Sequence, residues 1–255
     1  MDLLHEVLDL PEDDAQLVEG WLVMAARPGL PRPLIYLAGP QGSAKTTRGA
    51  IIASVLDPPP GRSMGSALGK KLSDDQLLAH SRYLVTFDNI SKVNVDTSDF
   101  IARLVTGDAV NKRRLFTDTD MINLTYRRTG IITGINVPAG LGVDALERLI
   151  VIDLIRIDPG QRRTEAEVWA DFEDRHPQIL GALCDAVAQV LASERDTTID
   201  LAGPTPRMAD YHRGLVHLDP ELAQAYMDRS QRAIRDAAAQ DPFVHALVRW
   251  LRHTD

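Results

Sequence analysis

The stretch that most constrains the fold is residues 34–47, which reads LIYLAGPQGSAKTT. It starts as an apolar run rich in strand formers, turns into a glycine-containing loop and ends in Lys-Thr-Thr. A segment compatible with a helix then runs to Leu56. Strand, loop and helix in this order form the context in which a phosphate-binding loop pattern is informative. A plain glycine turn between a strand and a helix is the simpler alternative. The coincidence of strand, loop, Lys-Thr and helix favours the phosphate loop.

The residue types of this loop fit the binding of a triphosphate. Gly39 and Gly42 allow the backbone to curl so that successive amide N–H groups face phosphate oxygens. The start of the following helix adds the positive end of its dipole. Lys45 can reach the β- and γ-phosphates, and the Thr46 hydroxyl can ligate Mg²⁺. We expect ATP to contact the residues of the loop: Gly39, Pro40, Gln41, Gly42, Ser43, Ala44, Lys45, Thr46 and Thr47.

One residue departs from the usual pattern, which has glycine immediately before the lysine. This chain has Ala44 there. A methyl group at that position crowds the backbone only if the residue needs a positive φ or a very close approach to phosphate.

A second motif lies in residues 83–89, YLVTFDN. An apolar run that ends in an acid is typical of a buried parallel strand with a carboxylate at its carboxyl end. In a phosphate-loop protein this is the Walker B position, where Asp88 holds Mg²⁺ directly or through water. The alternative is a strand that ends in an Asp-Asn turn. Asn89 replaces the glutamate usual in many such ATPases, so no water-activating base is evident, although Asp96 and Asp99 are nearby candidates.

Two β-capable runs, residues 110–116 and 121–128, surround a turn at residues 117–120 and predict a hairpin. From Arg103 to Arg128 six basic residues outnumber three acids, in a chain whose net charge is −8. This ribbon has two interpretations: a solvated edge whose charges oppose aggregation, or a basic face that meets phosphate. The turn itself carries two aspartates. Contacts to nucleic acid would therefore come from the flanks: Lys112, Arg113, Arg114, Arg127 and Arg128.

The remaining pattern predicts an α/β fold followed by helices. Residues 130–136 and 149–154 are further buried strands, so at least four strands favour a mostly parallel sheet with helices on both faces. After Pro159 the periodicity is helical throughout. A capping box at residues 164–167 begins one helix, and residues 177–195, 206–217, 220–239 and 242–253 are further helices. Cys184 (or Leu183) falls on the apolar stripe of the helix at 177–195, as a core residue. In the N-terminal part, Pro11 followed by three acids predicts the start of a helix. We divide the chain into an N-terminal helical segment (1–33), a core (34–158) and a C-terminal helical domain (159–255).

Composition adds limits on compartment and partner. The acidic balance argues against a surface that coats nucleic acid, although it allows a local basic strip. The single cysteine excludes a disulfide within the chain and a cysteine metal cluster. The first residues lack the pattern of a signal peptide, and no apolar run approaches the length of a membrane span. We expect a cytoplasmic protein without a membrane partner.

Taken together, these motifs resemble the AAA+-type ATPases of the superfamily 3 helicase kind, and in particular the ATP-binding proteins and primase–helicase modules of phages and mobile elements. The resemblance implies a P-loop NTPase (AAA+-like) fold. It covers residues from about 11 to about 195 and depends on the order of the following segments: the loop at 39–46, residues 86–89, Thr106-Gly107-Asp108, residues 113–116, Ile135-Asn136 and residues 144–148.

The resemblance also implies roles for later residues. Asn136 would orient the attacking water near the γ-phosphate, and Arg148 would be an arginine finger that acts on nucleotide bound by the neighbouring subunit of a homo-oligomeric ring, expected to be a hexamer. An ion pair with Glu147 or Asp144 is the alternative for Arg148. Bound partners would be ATP, Mg²⁺ and DNA, or a replication or regulatory protein. The sequence thus favours a DNA replication helicase module, with a nucleotide-controlled regulatory ATPase as the alternative; a small-molecule kinase is disfavoured because no substrate lid is visible.

Overall fold

The computed structural model describes residues 2–65, 68–69, 71–113, 121–195, 205–240 and 249–250. Its centre is a four-stranded parallel sheet in the order β2-β5-β1-β6. The strands are β1 (Leu34–Ala38), β2 (Leu84–Phe87), β5 (Thr129–Gly134) and β6 (Leu149–Asp153). The predicted α/β class and the mostly parallel sheet are confirmed. The strands are parallel and β1 lies between β5 and β6, so the segments that follow these three strands lie close together at the carboxyl edge of the sheet.

Helices from both halves of the chain cover this sheet. The helix after the loop, α3 (Lys45–Ser54), packs on β1, β2 and β5. In the chain, α4 (Leu72–Ser81) precedes β2 and α5 (Val95–Thr106) follows it. A four-residue helix, α6 (Val143–Leu146), leads into β6. The apolar side chains of the central strand β1 are all buried, so it forms the middle of the core.

The N-terminal segment contains one helix that the sequence predicts and one that it does not. The helix α2 (Glu12–Ala25) starts after Pro11, as the acidic first turn indicates, and its Trp21 is fully buried. The Trp21 indole donates a 2.7 Å hydrogen bond to the carbonyl of Pro33, immediately before β1. The preceding helix α1 (Asp2–Leu8) has no counterpart in the sequence prediction. Leu4 and Leu8 of α1 are fully buried, so the core recruits this helix.

The predicted hairpin is present as β3 (Asp108–Arg113) and β4 (Met121–Tyr126), which pair antiparallel. Its turn, residues 114–120, lies outside the described residues. Gly107 ends α5 with φ of 106°, and Asp108 accepts a hydrogen bond from the Tyr126 hydroxyl (3.2 Å) across the base of the hairpin. Since β4 leads directly into β5, the hairpin lies at the amino end of the sheet, opposite the edge that holds the loop.

The C-terminal part is helical, as predicted. The helix α7 (Glu165–Ser193) begins with the predicted capping box, in which Thr164 and Glu167 exchange hydrogen bonds. It continues through Pro177, joining two segments that the sequence treats separately. Then follow α8 (Ala209–Leu218) and α9 (Pro220–Gln240); the predicted helix at 242–253 lies outside the described residues apart from Arg249 and Trp250.

The prediction that Cys184 belongs to the core is wrong, because its side chain is exposed. The buried stripe of α7 instead passes through Ile179, Leu183 and Val190. The core residue is therefore Leu183, the alternative to Cys184 in the sequence prediction. Leu180 and Leu191, which share the face of Cys184, are also exposed.

The apolar core is continuous across the predicted domain boundary at residue 159. The helix α9 packs against β6, and α2 contacts α7, α8 and α9. A buried ion pair reinforces this contact: Arg229 on α9 meets Asp14 on α2 at 2.6 Å and donates to the backbone carbonyl of Val151 on β6. The division into three segments stays a prediction. Within the described residues no helix combines the length and apolarity that a membrane crossing needs.

Candidate nucleotide-binding site

The loop at residues 39–44 lies at the carboxyl end of β1, between the ends of β5 and β6. Backbone hydrogen bonds hold it on both sides. The Gly39 N–H donates to the carbonyl of Gly134 at the end of β5 (3.0 Å), and the Ile157 N–H beyond β6 donates to the carbonyl of Gly42 (3.1 Å). The loop is therefore fixed by the two neighbouring strands before any ligand arrives.

Two residues of the loop have a left-handed backbone. Gly42 has φ of 82°, and Ala44 has φ of 54° and ψ of 25°. Ala44 thus has the positive φ at which the methyl group of an alanine is strained. The strain is about 1 kcal/mol for a residue with a Cβ. Ala44 directly precedes α3 and offers no side-chain cap. The first turn of α3 therefore presents its amide groups at the loop, as an anion-binding helix start does.

Lys45 and Arg48, one turn apart on α3, have different surroundings. The Lys45 ammonium is partly exposed and makes a long 3.4 Å contact with the carbonyl of Pro40, so its donors remain available for phosphate. Arg48 is buried and donates to three backbone carbonyls: Leu8 (2.7 Å), Asp9 (2.7 Å) and Ser43 (2.9 Å). Arg48 fastens the loop to the turn between α1 and α2. The sequence prediction missed it; its position one turn after Lys45 is the only signal.

The structure brings Thr46 and Asp88 together. The Thr46 hydroxyl lies 3.1 Å from Asp88 Oδ1, and the same carboxylate oxygen accepts a hydrogen bond from Thr133 on β5. A hydroxyl and a carboxylate are hard oxygen ligands of the kind that Mg²⁺ takes at nucleotide sites. These two residues would hold the ion, which would neutralise charge on the phosphates. Thr133, which orients Asp88, was not predicted.

Asn89 follows the carboxylate with a left-handed backbone (φ of 57°), and its N–H donates to Thr133 Oγ1 at 2.9 Å. This turn fixes Asp88 between the two strands. Asp96, in the first turn of α5, and Asp99, in the following turn, are both exposed. The assignment of a water-activating base to either of them stays a prediction.

Asn136 lies exposed just beyond β5, and its backbone is anchored by a buried tyrosine. The Tyr36 hydroxyl donates to the carbonyl of Asn136 at 2.6 Å. Burial raises the pKa of Tyr36 above its ordinary value, so the phenol remains a donor. Gly134 makes room for this contact, since a Cβ there would collide with the Tyr36 hydroxyl. The side chain of Asn136 lines a cavity of about 280 Å³ together with Gly39 and Pro40.

Arg148, the predicted arginine finger, is buried in the single chain, with 6% of its surface exposed. It forms an ion pair with Asp144 at 2.8 Å, and the other oxygen of that carboxylate pairs with Arg207 at 2.5 Å. The hydrogen bond from Arg148 holds the pKa of Asp144 below its ordinary value. The geometry is that of the alternative interpretation, an ion pair with Asp144. The finger role stays a prediction and requires Arg148 to leave this carboxylate.

The predicted nucleic-acid residues fall into two groups. Arg127 donates to the carbonyls of Thr106 (3.2 Å) and Gly29 (2.7 Å), and Arg128 to those of Arg82 and Arg127. Both guanidinium groups are thus engaged in holding the base of the hairpin. The side chains of Lys112 and Arg113 and the whole of Arg114 lie outside the described residues. A role for any of these five in binding DNA stays a prediction.

A larger cavity, about 540 Å³, opens on the other side of the loop. Leu8, Asp9, Thr47 and Arg48 contribute to its wall. This volume falls in the range of small-molecule sites.

Comparison with known families identifies the chain. A model of the family described as Actinomycete integrative conjugative element replication protein matches residues 1–241. The chain belongs to this family of replication proteins. An integrative conjugative element is a mobile element, so the expectation of a replication protein from a mobile element is confirmed.

Other comparisons are more distant. The search of curated proteins gives no match. Among solved structures, the chain is similar to the C-terminal region of NrS-1 in its apo form, with 10% identity and a TM-score of 0.41, over 69% of this chain and 42% of that one. The chain thus spans less than half of the NrS-1 structure. It is also similar to a JCV helicase bound to an acetamide compound, with 11% identity and a TM-score of 0.32, over 91% of this chain and 67% of that one.

Proposed function

We propose that this replication protein binds and hydrolyses ATP with Mg²⁺ and works as a ring-forming helicase module during replication of its element. The observation that carries the proposal is the meeting of Thr46 and Asp88 at a loop already curled for phosphate. In this assignment Lys45 contacts the β- and γ-phosphates, Thr46 and Asp88 hold the metal ion, and Asn136 orients the attacking water.

The path from the ATP site to DNA in this proposal is the strand β5. It begins shortly after the hairpin, at Thr129, and ends at Gly134, two residues before Asn136. Its six residues span about 20 Å. Strand β5 also pairs with β1 and β2, which end in the phosphate loop and in Asp88. A change at the γ-phosphate can therefore move the hairpin through one rigid element, with Lys112, Arg113 and Arg114 as the proposed contacts to DNA.

A second candidate is a nucleotide-controlled regulatory ATPase that does not move along DNA. Two observations favour it: the donors of Arg127 and Arg128 are engaged by backbone carbonyls, and Arg148 is held by Asp144 rather than offered to a neighbour. In this version ATP controls assembly or the binding of a protein partner, and hydrolysis resets the state.

The first test is hydrolysis of ATP by the wild type and by Lys45→Ala, with the exposed Lys71→Ala as a matched control. Loss of the loop ammonium removes charge stabilisation of the transferred phosphoryl group, so we expect a rate about 100-fold lower for Lys45→Ala and no change for Lys71→Ala. Equal rates in all three proteins would reject the assignment of the site.

The second test separates the two candidates. Filter binding and unwinding are measured on the protein assembled with ATP, at low salt, where phosphate contacts are strongest. DNA-stimulated hydrolysis together with unwinding supports the helicase. ATP-dependent assembly without any effect of DNA rejects the helicase and supports the regulatory ATPase.

A further inference from the structure

The segment that follows β6 runs along the outside of the phosphate loop. Its N–H groups bind the end of β1 and the loop: Leu154 donates to the carbonyl of Ala38 in β1 (2.6 Å), and Ile157 donates to that of Gly42 in the loop (3.1 Å). Asp158 then caps the short turn Pro159–Gln161 by accepting from the Gly160 N–H at 2.8 Å. These bonds give residues 154–161 a fixed course beside the loop.

Two arginines of this region lie against the loop. A Cβ added to Gly42 would be 3.2 Å from Arg162 Nη2 and 3.7 Å from Nε and Cγ of Arg156. Both guanidinium groups therefore lie next to the same loop residue. Gly42 has no side chain, which leaves room for them. Gly42 also has the left-handed backbone noted above, so glycine meets two demands at this position.

These arginines differ from their neighbours in having no carboxylate partner among the described residues. Arg163, the next residue, pairs with Asp171 at 2.9 Å, and Arg175 pairs with Asp171 at 2.7 Å. The nearby Arg62 pairs with Glu173. Asp158, which lies between the two arginines in the sequence, accepts a hydrogen bond from the Gly160 N–H and forms an ion pair with neither of them. The chain as a whole has more acidic than basic residues. Two guanidinium groups close together without carboxylate partners therefore create a local positive potential that attracts an anion.

We propose that Arg156 and Arg162 bind the polyphosphate of a nucleoside triphosphate held in the loop of the same chain. The planar fork of a guanidinium matches phosphate oxygens, and both groups adjoin a loop whose amides face the same ligand. The inference rests on the proposed function, because it extends that nucleotide site by two residues which neither the loop pattern nor the resemblance includes.

The test is the affinity for a fluorescent ATP analogue in the presence of Mg²⁺, measured for the full chain at several salt concentrations. For the double variant Arg156→Gln/Arg162→Gln we expect binding weaker by about 10- to 30-fold, since two charge-assisted contacts are lost. The dependence of affinity on salt should also become shallower, because fewer charges are neutralised on binding. Arg213→Gln, an exposed arginine on α8, is the matched control and should bind like the wild type.

Each outcome has a definite reading. If the wild type binds the analogue and the double variant binds equally well with the same salt dependence, the inference is wrong while the nucleotide site stands. If the wild type does not bind at all, the proposed function and the inference fail together. Arg156→Lys/Arg162→Lys guards against a folding defect. It keeps both charges, so the salt dependence of affinity should return to that of the wild type, whereas a dependence as shallow as in the glutamine variant at an unchanged melting temperature would contradict a role in binding phosphate.

Discussion

Arginine side chains have different surroundings at the two ends of the parallel strands: the amino edge, with the base of the hairpin, and the carboxyl edge, with the phosphate loop. At the hairpin base, Arg127 and Arg128 donate to backbone carbonyls and hold the chain together. At the loop edge, Arg156 and Arg162 adjoin Gly42 with no carboxylate partner among the described residues. A count of charges ranks the hairpin as the basic face of the molecule. The contacts show that a basic residue is informative about a ligand only when its donors are not already used by the fold.

Arg48 tests whether an arginine at the loop edge can also be wholly structural. Arg48→Ala removes a buried guanidinium and leaves the carbonyls of Leu8, Asp9 and Ser43 without their donor. We expect the free energy of unfolding to fall by about 3 kcal/mol. For a chain of this length the melting temperature should drop by about 10 °C.

Thermal or urea unfolding checks this prediction, with Arg213→Ala on the exposed face of α8 as the control. A loss under about 1 kcal/mol would mean that water replaces the guanidinium at these carbonyls, and that Arg48 is closer in role to Arg156 and Arg162 than to Arg128.

Arg128 tests the other edge. Arg128→Gln removes donors to the partly buried carbonyl of Arg82 and to the exposed carbonyl of Arg127, at the junction of the hairpin and β5. We expect a loss of about 1–2 kcal/mol in the free energy of unfolding. The slope of DNA affinity against salt should stay as in the wild type, because that side chain is not available to phosphate. A shallower slope with unchanged stability would reverse the comparison and make the hairpin base a DNA contact.

The sequence was informative where one physical cause dominates. The loop, the strand that ends in Asp88 and the strand before Asn136 are each set by an apolar run and a polar terminus, and all three meet at one edge as expected. The capping box at Thr164 is equally local. Features that depend on distant partners could not be predicted: helix α1 exists because its leucines enter the core, and Arg48 matters because a turn 40 residues earlier lies beside it.

Cys184 and Arg148 show the same limit in side chains. A one-residue change in the phase of the α7 stripe exposes Cys184 and buries Leu183. For Arg148, periodicity cannot distinguish an arginine offered to a neighbour from one bound to Asp144 four residues earlier. The pair with Asp144 is visible only when the short helix α6 has been placed.

The smallest expected effect concerns the backbone of the loop itself. Ala44 has φ of 54°, a conformation that glycine adopts without a steric penalty. Ala44→Gly relieves that penalty, but it also gives the unfolded chain more freedom, which offsets part of the gain. We therefore expect the free energy of unfolding to rise by no more than about 1 kcal/mol. Urea unfolding measures this change, and Ala170→Gly, at an exposed position within α7, is the control, where glycine should destabilise by about 1 kcal/mol.

The two glycine substitutions separate strain from flexibility, because they change the unfolded chain alike and differ only in the native backbone. If the strain holds the loop ready for phosphate, Ala44→Gly should become slightly more stable while its affinity for the ATP analogue stays equal or falls. A loss of stability at Ala44 equal to that at Ala170 would mean that the left-handed conformation costs nothing here. The loop edge would then be shaped by its hydrogen bonds to β5 and β6 alone, as the hairpin base is by Arg127 and Arg128.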